Sequence, residues 1–314
     1  MGSAPRPDVS VVIPTRNRAR FLARALRSAL GQRGVSLEAI VVDDGSTDDT
    51  PSVVSRLSDP RLTYIRRPSA GGVSEARNEG IAHATGRWIG FLDDDDVWAP
   101  TKLERQLEAA ASLGREWSYA GEVVVDPALR LLGGTPPADA DEVMRTIGRH
   151  DSVPGGTSSV VASRETLREV GPFDPNLVVH EDWDMWLRLA RVGPPAAVPH
   201  PCVAVTEHDG GSWDAERMIA GLAIIARRHG VPVDRARHLR WAGWRSALEG
   251  RKVEAVGYLL RAAASGDVGS LARAGVVAVV PPTVLARRRR PPDPSDPYVA
   301  EALSWLQLVA GGGA

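Results

Sequence analysis

At 314 residues the chain can hold two domains, or one large domain with an appendage. Its 43% hydrophobic and 25% charged residues are the balance of a soluble globular protein, and a formal net charge of -1 gives no overall sign of a nucleic-acid binder. One cysteine, Cys202, excludes an intrachain disulfide and fits a reducing compartment.

The opening MGSAPRPDVSVVIP reaches its first apolar run without a charged n-region and an apolar h-region, so no secretory signal is expected. Arg6 stands where a myristoylation motif needs Ser or Thr. Val9–Pro14 is short, continuous and β-branched, which predicts a buried parallel strand. Arg18–Leu30 then sets Leu22, Ala25, Leu26, Ala29 and Leu30 on one helical face. Ile40-Val41-Val42 predicts a second strand, and Ser46 or Thr47 can cap the helix that follows. Leu62–Ile65 reads as a third strand, Val73–Ala84 as a helix closed by Gly86, and Trp88–Leu92 as a fourth strand that stops at four aspartates. Pro100–Leu113 is a helix with Pro near its first turn.

Strands separated by helices of this length predict βαβ units and an α/β fold with a mostly parallel sheet flanked by helices. Functional loops of such sheets gather at the carboxyl ends of the strands. Pro14–Asn17, Asp43–Asp49 and Asp93–Asp96 all fall there, which points to one shared site. Further on, Trp117–Val125 predicts a strand, Asp126–Ala138 a Gly/Pro-rich loop, Ser158–Ala162 a short strand, Glu181–Arg191 a helix and Cys202–Thr206 a final strand. From Trp213 the patterns are helical only, with Arg235–Glu249 and Lys252–Ala264 forming a hairpin broken at Gly250. Leu271–Val280 is too short to span a bilayer. Residues 287–297 make a basic, proline-rich linker before a last short helix.

Four adjacent aspartates repel one another, so Asp93–Asp96 needs compensation, typically a cation; oxygen-rich sites of this kind suit Mg2+ or Mn2+. Taken alone the run reads equally as a solvated, helix-capping loop. VVDDGSTD, at 41–48, taken alone is a capped turn, although a carboxylate there can accept from a base N–H or a ribose. In GGVSEARN, at 71–78, the glycines allow close approach at a helix start that favours anions, and Arg77 can meet a phosphate or a surface acid. No dinucleotide or P-loop fingerprint is present. In HEDWDMWLR, at 180–188, Trp183, Trp186 and Leu187 form a core-facing stripe, while the acids at the helix start are either caps or a general base. His208 sits in a loop after a strand, where a histidine is ordinarily just solvated.

In this order, VSVVIPTRN, VVDDGSTDDT, GGVSEARNEGIAHATGRWIGFLDDDDVWAP, VGPFDP and HEDWDMWLRLARVG closely resemble glycosyltransferase family 2 over residues 9 to about 212. The resemblance implies the Rossmann-like GT-A fold over 1–212, a nucleotide-sugar half to about 116, an acceptor half over 117–212, and a helical C-terminal region over 213–314. It implies inverting, metal-dependent transfer from a UDP- or dTDP-type donor to an acceptor hydroxyl. Pro14, Thr15 and Asn17 would line the nucleoside pocket, Asp44 would take the base's ring N–H, and Arg77 and Asn78 would lie near the nucleotide. Asp93 and Asp95 would form the D-x-D motif, with Asp95 the direct ligand of Mn2+ or Mg2+ and Asp93 or Asp94 reaching the ribose. Asp182 would be the catalytic base and Glu181 would help position it. His208 matches a further metal or diphosphate contact, although the usual Tyr-Arg-x-His context reads Val205-Thr206-Glu207-His208 here. The acceptor expected is a glycan, a lipid-linked saccharide or a small natural product, with no nucleic acid, in the cytoplasm or at most peripherally on the inner membrane face. A sugar nucleotidyltransferase is the rival enzyme, though its Gly-rich first loop is replaced by Pro14–Asn17; a non-catalytic binding module is the rival of another class.

Overall fold

The structure, a computed structural model, describes residues 6–208, 214–281, 285 and 292–311. Residues 209–213 after His208 and the arginine run 287–290 with Pro291 lie outside the described residues.

The fully buried β1 (Val9–Thr15) pairs in parallel with β2 (Leu37–Asp43) on one side and β4 (Trp88–Phe91) on the other; β3 (Leu62–Arg66) extends the sheet beyond β2. Helices α1 (Ala19–Leu30), α2 (Thr50–Leu57) and α3 (Val73–His83) alternate with these strands. Leu22, Leu26, Val9, Val11 and Ile13 meet in one apolar core, as the periodicity predicts. All three nucleotide-type loops leave this sheet at carboxyl ends of strands.

Beyond β4 the sheet becomes mixed. The sheet runs β3-β2-β1-β4-β8-β6-β9-β5, where β5 is Val97–Trp98, β6 Trp117–Val125, β8 Val160–Ser163 and β9 Ala196–Thr206. β4 and β6 both pair antiparallel with β8, β6 and β9 run parallel, and β5 is antiparallel to β9. The expected loop 126–138 contains a further strand, β7 (Leu131–Thr135), antiparallel to β6. Its glycines concealed it: a Cβ at Gly134 would stand 2.6 Å from Val123 Cγ1, so glycine is what lets the strand close on β6. Helices α4 (Lys102–Leu113), α5 (Ala140–Thr146), α6 (Arg164–Val170) and α7 (Glu181–Val192) complete this part. On α7, Trp183, Trp186 and Leu187 are buried as the stripe predicts. Behind the site, the Trp98 indole donates to Ser158 O at 2.8 Å, and the buried Lys102 ammonium lies 4.0 Å from the Trp98 ring centre. Burial pushes the Lys102 amine down to about 7.

The chain divides into two compact units. The first comprises Met1–Arg145, Ser152–Gly210 and Pro292–Ala314; the second comprises Thr146–Asp151 and Gly211–Pro291. The second holds α8 (Ala215–His229), α9 (Arg235–Leu248), α10 (Lys252–Ala264) and α11 (Gly269–Val279). The α9–α10 hairpin turns at Gly250, φ +81°, and a Cβ at Gly243 would lie 2.8 Å from Leu259 Cγ, so the two helices approach closely there. The last helix, α12 (Pro297–Gly311), belongs to the first unit, although the sequence pattern groups it with the helices before it. Its Trp305 indole donates to Pro201 O at 2.6 Å and its Tyr298 hydroxyl to Glu122 O at 2.9 Å, covering the β6–β9 core.

Candidate active site

The first two loops are sewn together. Asn17 adopts the left-handed region, φ +54°, and its amide N–H donates to Ser46 Oγ at 2.9 Å while its side-chain oxygen accepts from Thr47 N at 2.7 Å. Thr15 O accepts from Asp44 N at 2.9 Å. Asp43 is buried and structural: it accepts from Ser46 N at 2.7 Å and from the Tyr64 hydroxyl at 2.5 Å. Asp44 accepts from Gly71 N at 2.9 Å, from Gly72 N at 2.8 Å and from the Arg67 guanidinium, so three of about four lone-pair sites on its carboxylate are used. Gly72 sits at φ +93°, the left-handed region that favours glycine.

The four aspartates have four different jobs. Asp93 is the most open, about a third exposed, and accepts from Arg77 Nη2 at 2.8 Å and Thr157 Oγ1 at 3.1 Å. Asp94 accepts from Thr15 Oγ1 at 2.6 Å, and burial pushes its carboxyl up to about 7 against that hydrogen bond. Asp96 is buried and holds the frame, accepting from Ser158 Oγ at 2.6 Å and Thr206 N at 3.1 Å; its burial raises its carboxyl well above the ordinary range. Asp95 meets the Arg18 guanidinium and lies 2.9 Å from His208 Nε2.

His208 is stacked on Phe21, with ring centres 5.0 Å apart, so α1 aims it at Asp95. Asp95 Oδ2 and His208 Nε2 stand 2.9 Å apart, so a carboxylate oxygen and an imidazole nitrogen face one place and could together hold a metal ion. Imidazole with carboxylate is a donor set that suits Mn2+. The place already draws a cation, because Arg18 Nη1 touches Asp95 and lies 3.0 Å from His208 Nε2. Among the described residues no group of three or more His, Cys, Asp or Glu side chains converges on one metal position.

Arg77 links the aspartate turn to the candidate base. It is 3% exposed, donates through Nη2 to Asp93 and to Thr157 Oγ1 at 2.9 Å, and through Nη1 to Glu181 Oε1 at 3.0 Å. Burial disfavours its charge, but Asp93 and Glu181 outweigh that and hold it protonated. Asp182 follows Glu181 in the first turn of α7, and its Oδ1 accepts from Trp183 N at 2.7 Å. Its Oδ2 points toward Gly156, φ +52°, where a Cβ would lie 3.8 Å away. Burial raises both Glu181 and Asp182, with Arg77 opposing it.

The structure thus gathers Thr15, Asp93, Asp94, Arg77 and Glu181 through direct hydrogen bonds, and Asp95 with His208 beside them. Pro14 is buried within β1. Asn78, expected beside the nucleotide, spends both ends of its amide on the Phe173 backbone at 2.8 Å, pinning the Gly171-Pro172-Phe173 turn to α3. Sequence reasoning missed Arg18, Phe21, Thr157 and Ser158. Arg18 had a signal, since it follows Thr15-Arg16-Asn17 into the same strand-end loop; Thr157-Ser158 carries no motif and is placed only by the short 3-10 turn Gly156–Ser159.

Residues 10–124 match the family model for glycosyl transferase family 2. WcaA of Escherichia coli K12, named for colanic acid biosynthesis, is 32% identical over 244 residues, 73% of this chain and 84% of its own. The succinoglycan biosynthesis protein ExoO of Rhizobium meliloti (strain 1021) is 44% identical over 110 residues, 35% of this chain, so the match spans about a third (32%) of that relative's length. Among solved structures, S. aureus TarS in complex with UDP-GlcNAc has a TM-score of 0.60 at 16% identity, covering 97% of this chain and 92% of that one. The mannosyltransferase PcManGT from Pyrobaculum calidifontis, in complex with GDP-Man and Mn2+, has a TM-score of 0.55 at 23% identity over 98% and 87%. At such identities the structural likeness shows the fold, which is GT-A. Because that fold is joined to an alignment with WcaA over most of both chains, the chain belongs to glycosyl transferase family 2 and is a glycosyltransferase.

Proposed function

We propose that this glycosyltransferase moves a sugar from a UDP- or dTDP-type nucleotide sugar to an acceptor hydroxyl in one inverting displacement, with Asp182 as general base. The observation that carries the reading is the Arg77 guanidinium, bound at once to Asp93 of the D-x-D turn and to Glu181 beside the base. It ties the acids suited to a metal ion that would carry a diphosphate to the acids suited to proton removal, so one site would hold both. In this reading residues 1–116 form the donor half and 117–212 the acceptor half.

Asp95 and His208 would hold Mn2+ or Mg2+, which when bound neutralises charge on the departing nucleoside diphosphate. Thr15, Asn17 and Asp44 would cradle the nucleoside, the remaining lone pair of Asp44 accepting the ring N–H of a uracil or thymine base. Trp183 N fixes one oxygen of Asp182, and the other lies on the Gly156 side. Its burial makes it a stronger base than a solvated aspartate. The acceptor proton passes to Asp182, the acceptor oxygen bonds to the anomeric carbon, and the bond to the diphosphate oxygen breaks with its electron pair. Glu181, bound to Arg77, positions this helix end and does not touch the hydroxyl. The acceptor is proposed to be a glycan, a lipid-linked saccharide or a small natural product.

Asp182→Asn should keep nucleotide affinity by calorimetry within about twofold while transfer falls by about 10²-fold or more, the scale of a general-base contribution. A fully active Asn variant would sink the base assignment. Asp95→Asn should abolish the chelator-sensitive part of donor binding, and wild-type donor affinity indifferent to chelator would count against the metal.

A further inference from the structure

The near-neutral chain hides two units of opposite charge. The second unit carries sixteen Lys and Arg against seven Asp and Glu, a formal +9, which leaves -10 on the first. Without Arg287–Arg290 it is still +5. The same unit holds nine of the fourteen large apolar side chains that are exposed among the described residues, so charge and exposed apolar surface coincide. Arg237, Arg240, Trp241 and Trp244 follow at i, i+3, i+4 and i+7 on one face of α9. With Leu259 of α10 and Ala272, Arg273 and Val276 of α11 they line a groove of about 630 Å3. Next to it, Val268, Leu271, Val276 and Val279 fall within one outward arc of α11, exposed between 38% and 77%. Arg240 and Arg273 share one carboxylate, Asp267, and Arg237 has no ion pair among the described residues, so the groove keeps net positive charge.

We propose that the second unit docks on an anionic phospholipid surface through this face of α9 and α11. Arginines beside half-exposed indoles match the headgroup level, where phosphates meet the first methylenes. The valines and leucine of α11 would enter below them, as the apolar side of an interfacial helix does. A nucleic acid or an anionic glycan would answer the arginines and stack on the indoles, but it leaves the α11 stripe in water. A second copy of the unit would bring +9 against +9. A lipid surface satisfies both observations at once. This inference goes beyond the transfer reaction and does not rest on the roles given to Asp182 and Asp95.

The test is flotation of the full chain with vesicles of phosphatidylcholine alone and of phosphatidylcholine with 30% phosphatidylglycerol (a composition of about that order sets the surface potential). Binding is expected to the anionic vesicles, weakening as salt rises. Arg237→Glu should lower partitioning roughly tenfold, and Trp241→Ala with Trp244→Ala by about as much. Val279→Glu, at a 77% exposed position, serves where the tryptophan variants fail to fold, and should also reduce flotation severalfold. Equal partitioning to both vesicle types, wild-type flotation by these variants, or tighter binding to single-stranded RNA or to hyaluronate than to anionic vesicles would each overturn the proposal. Nucleotide-sugar binding and transfer to a soluble acceptor, measured without vesicles, should be unchanged in Val279→Glu, so failure here is distinguishable from failure of the proposed reaction.

Discussion

Replacing Arg77 by Met keeps most of the side chain's volume and removes the charge that joins the two sides of the site. The guanidinium is nearly sealed from water and makes two charge-assisted hydrogen bonds, to Asp93 and Glu181, and one to Thr157. Hydrogen bonds to charged groups contribute about 1.5–3 kcal/mol each, and breaking one side of a buried ion pair costs about 3–5 kcal/mol. The second figure already contains the first, so the expected loss is about 3–5 kcal/mol at pH 8. It should shrink toward pH 5. Without the cation, the carboxyls of Glu181 and Asp182, already raised by burial, rise further, so as pH falls their protonation in the folded protein replaces the missing charge. Urea unfolding followed by fluorescence reads the first unit preferentially, because it holds six of the nine tryptophans. A loss below about 1 kcal/mol at pH 8, or the same loss at pH 5 and pH 8, would refute the argument. Arg77 would then act by packing on Phe173, whose ring centre is 5.4 Å away. Arg77→Lys should recover only part of the stability, since an ammonium cannot span both acids with a planar fork.

Asp94 sets a pH dependence of the opposite kind. Its folded carboxyl titrates at about 7, above its unfolded value near 3.8, so stability is fully present below about pH 4 and is lost as pH rises through 7. At about 1.4 kcal/mol per unit the loss is about 4 kcal/mol at most, and Asp94→Asn, which still accepts from Thr15, should remove that slope in chelator and be the more stable protein at pH 8. An unchanged slope would show that Asp94 is ionised without cost. Gly80→Ala should destabilise despite the better helix former: the new Cβ would lie 2.3 Å from Cγ1 of fully buried Val12, and overpacking of about 1–3 kcal/mol exceeds the propensity gain of about 1. Val12→Ala in the same chain should recover most of the loss, and additive single effects would exclude the clash as its cause.

The parallel half of the sheet was legible because its strands are buried on both faces, which writes them as unbroken β-branched runs such as Val9–Pro14 and Ile40–Val42. The α7 helix was legible from the apolar spacing of Trp183, Trp186 and Leu187, and the end of α3 from Gly86 just beyond it. What escaped is physical in origin. β7 contributes two glycines to its pairing with β6 and therefore has no apolar alternation to read. β5 is two residues long, and the pairing that defines it comes from β9, a hundred residues later. The partition of charge between the two units was present in the sequence all along but cancels in the total, and only the compact units show where to divide it.

The acidic run shows most clearly where sequence reading ends. Four identical residues in a row carry no local instruction about which is ligand and which is frame; that is decided by what each strand end brings. Phe21 and His208 arrive from α1 and from the end of β9 to face Asp95, Thr15 from β1 to cap Asp94, Arg77 from α3 to neutralise Asp93, and Ser158 from a motif-free turn to seal Asp96. Two of the four, Asp94 and Asp96, are buried with raised carboxyls, so burial opposes full ionisation of the run. Repulsion inside the motif is relieved by Arg77 on Asp93, Arg18 on Asp95 and hydrogen bonds from Thr15 and Ser158 to the two buried acids. A cation held by Asp95 and His208, as proposed above, would therefore be added to a turn that the protein already holds in place, and chelation should leave the fold intact.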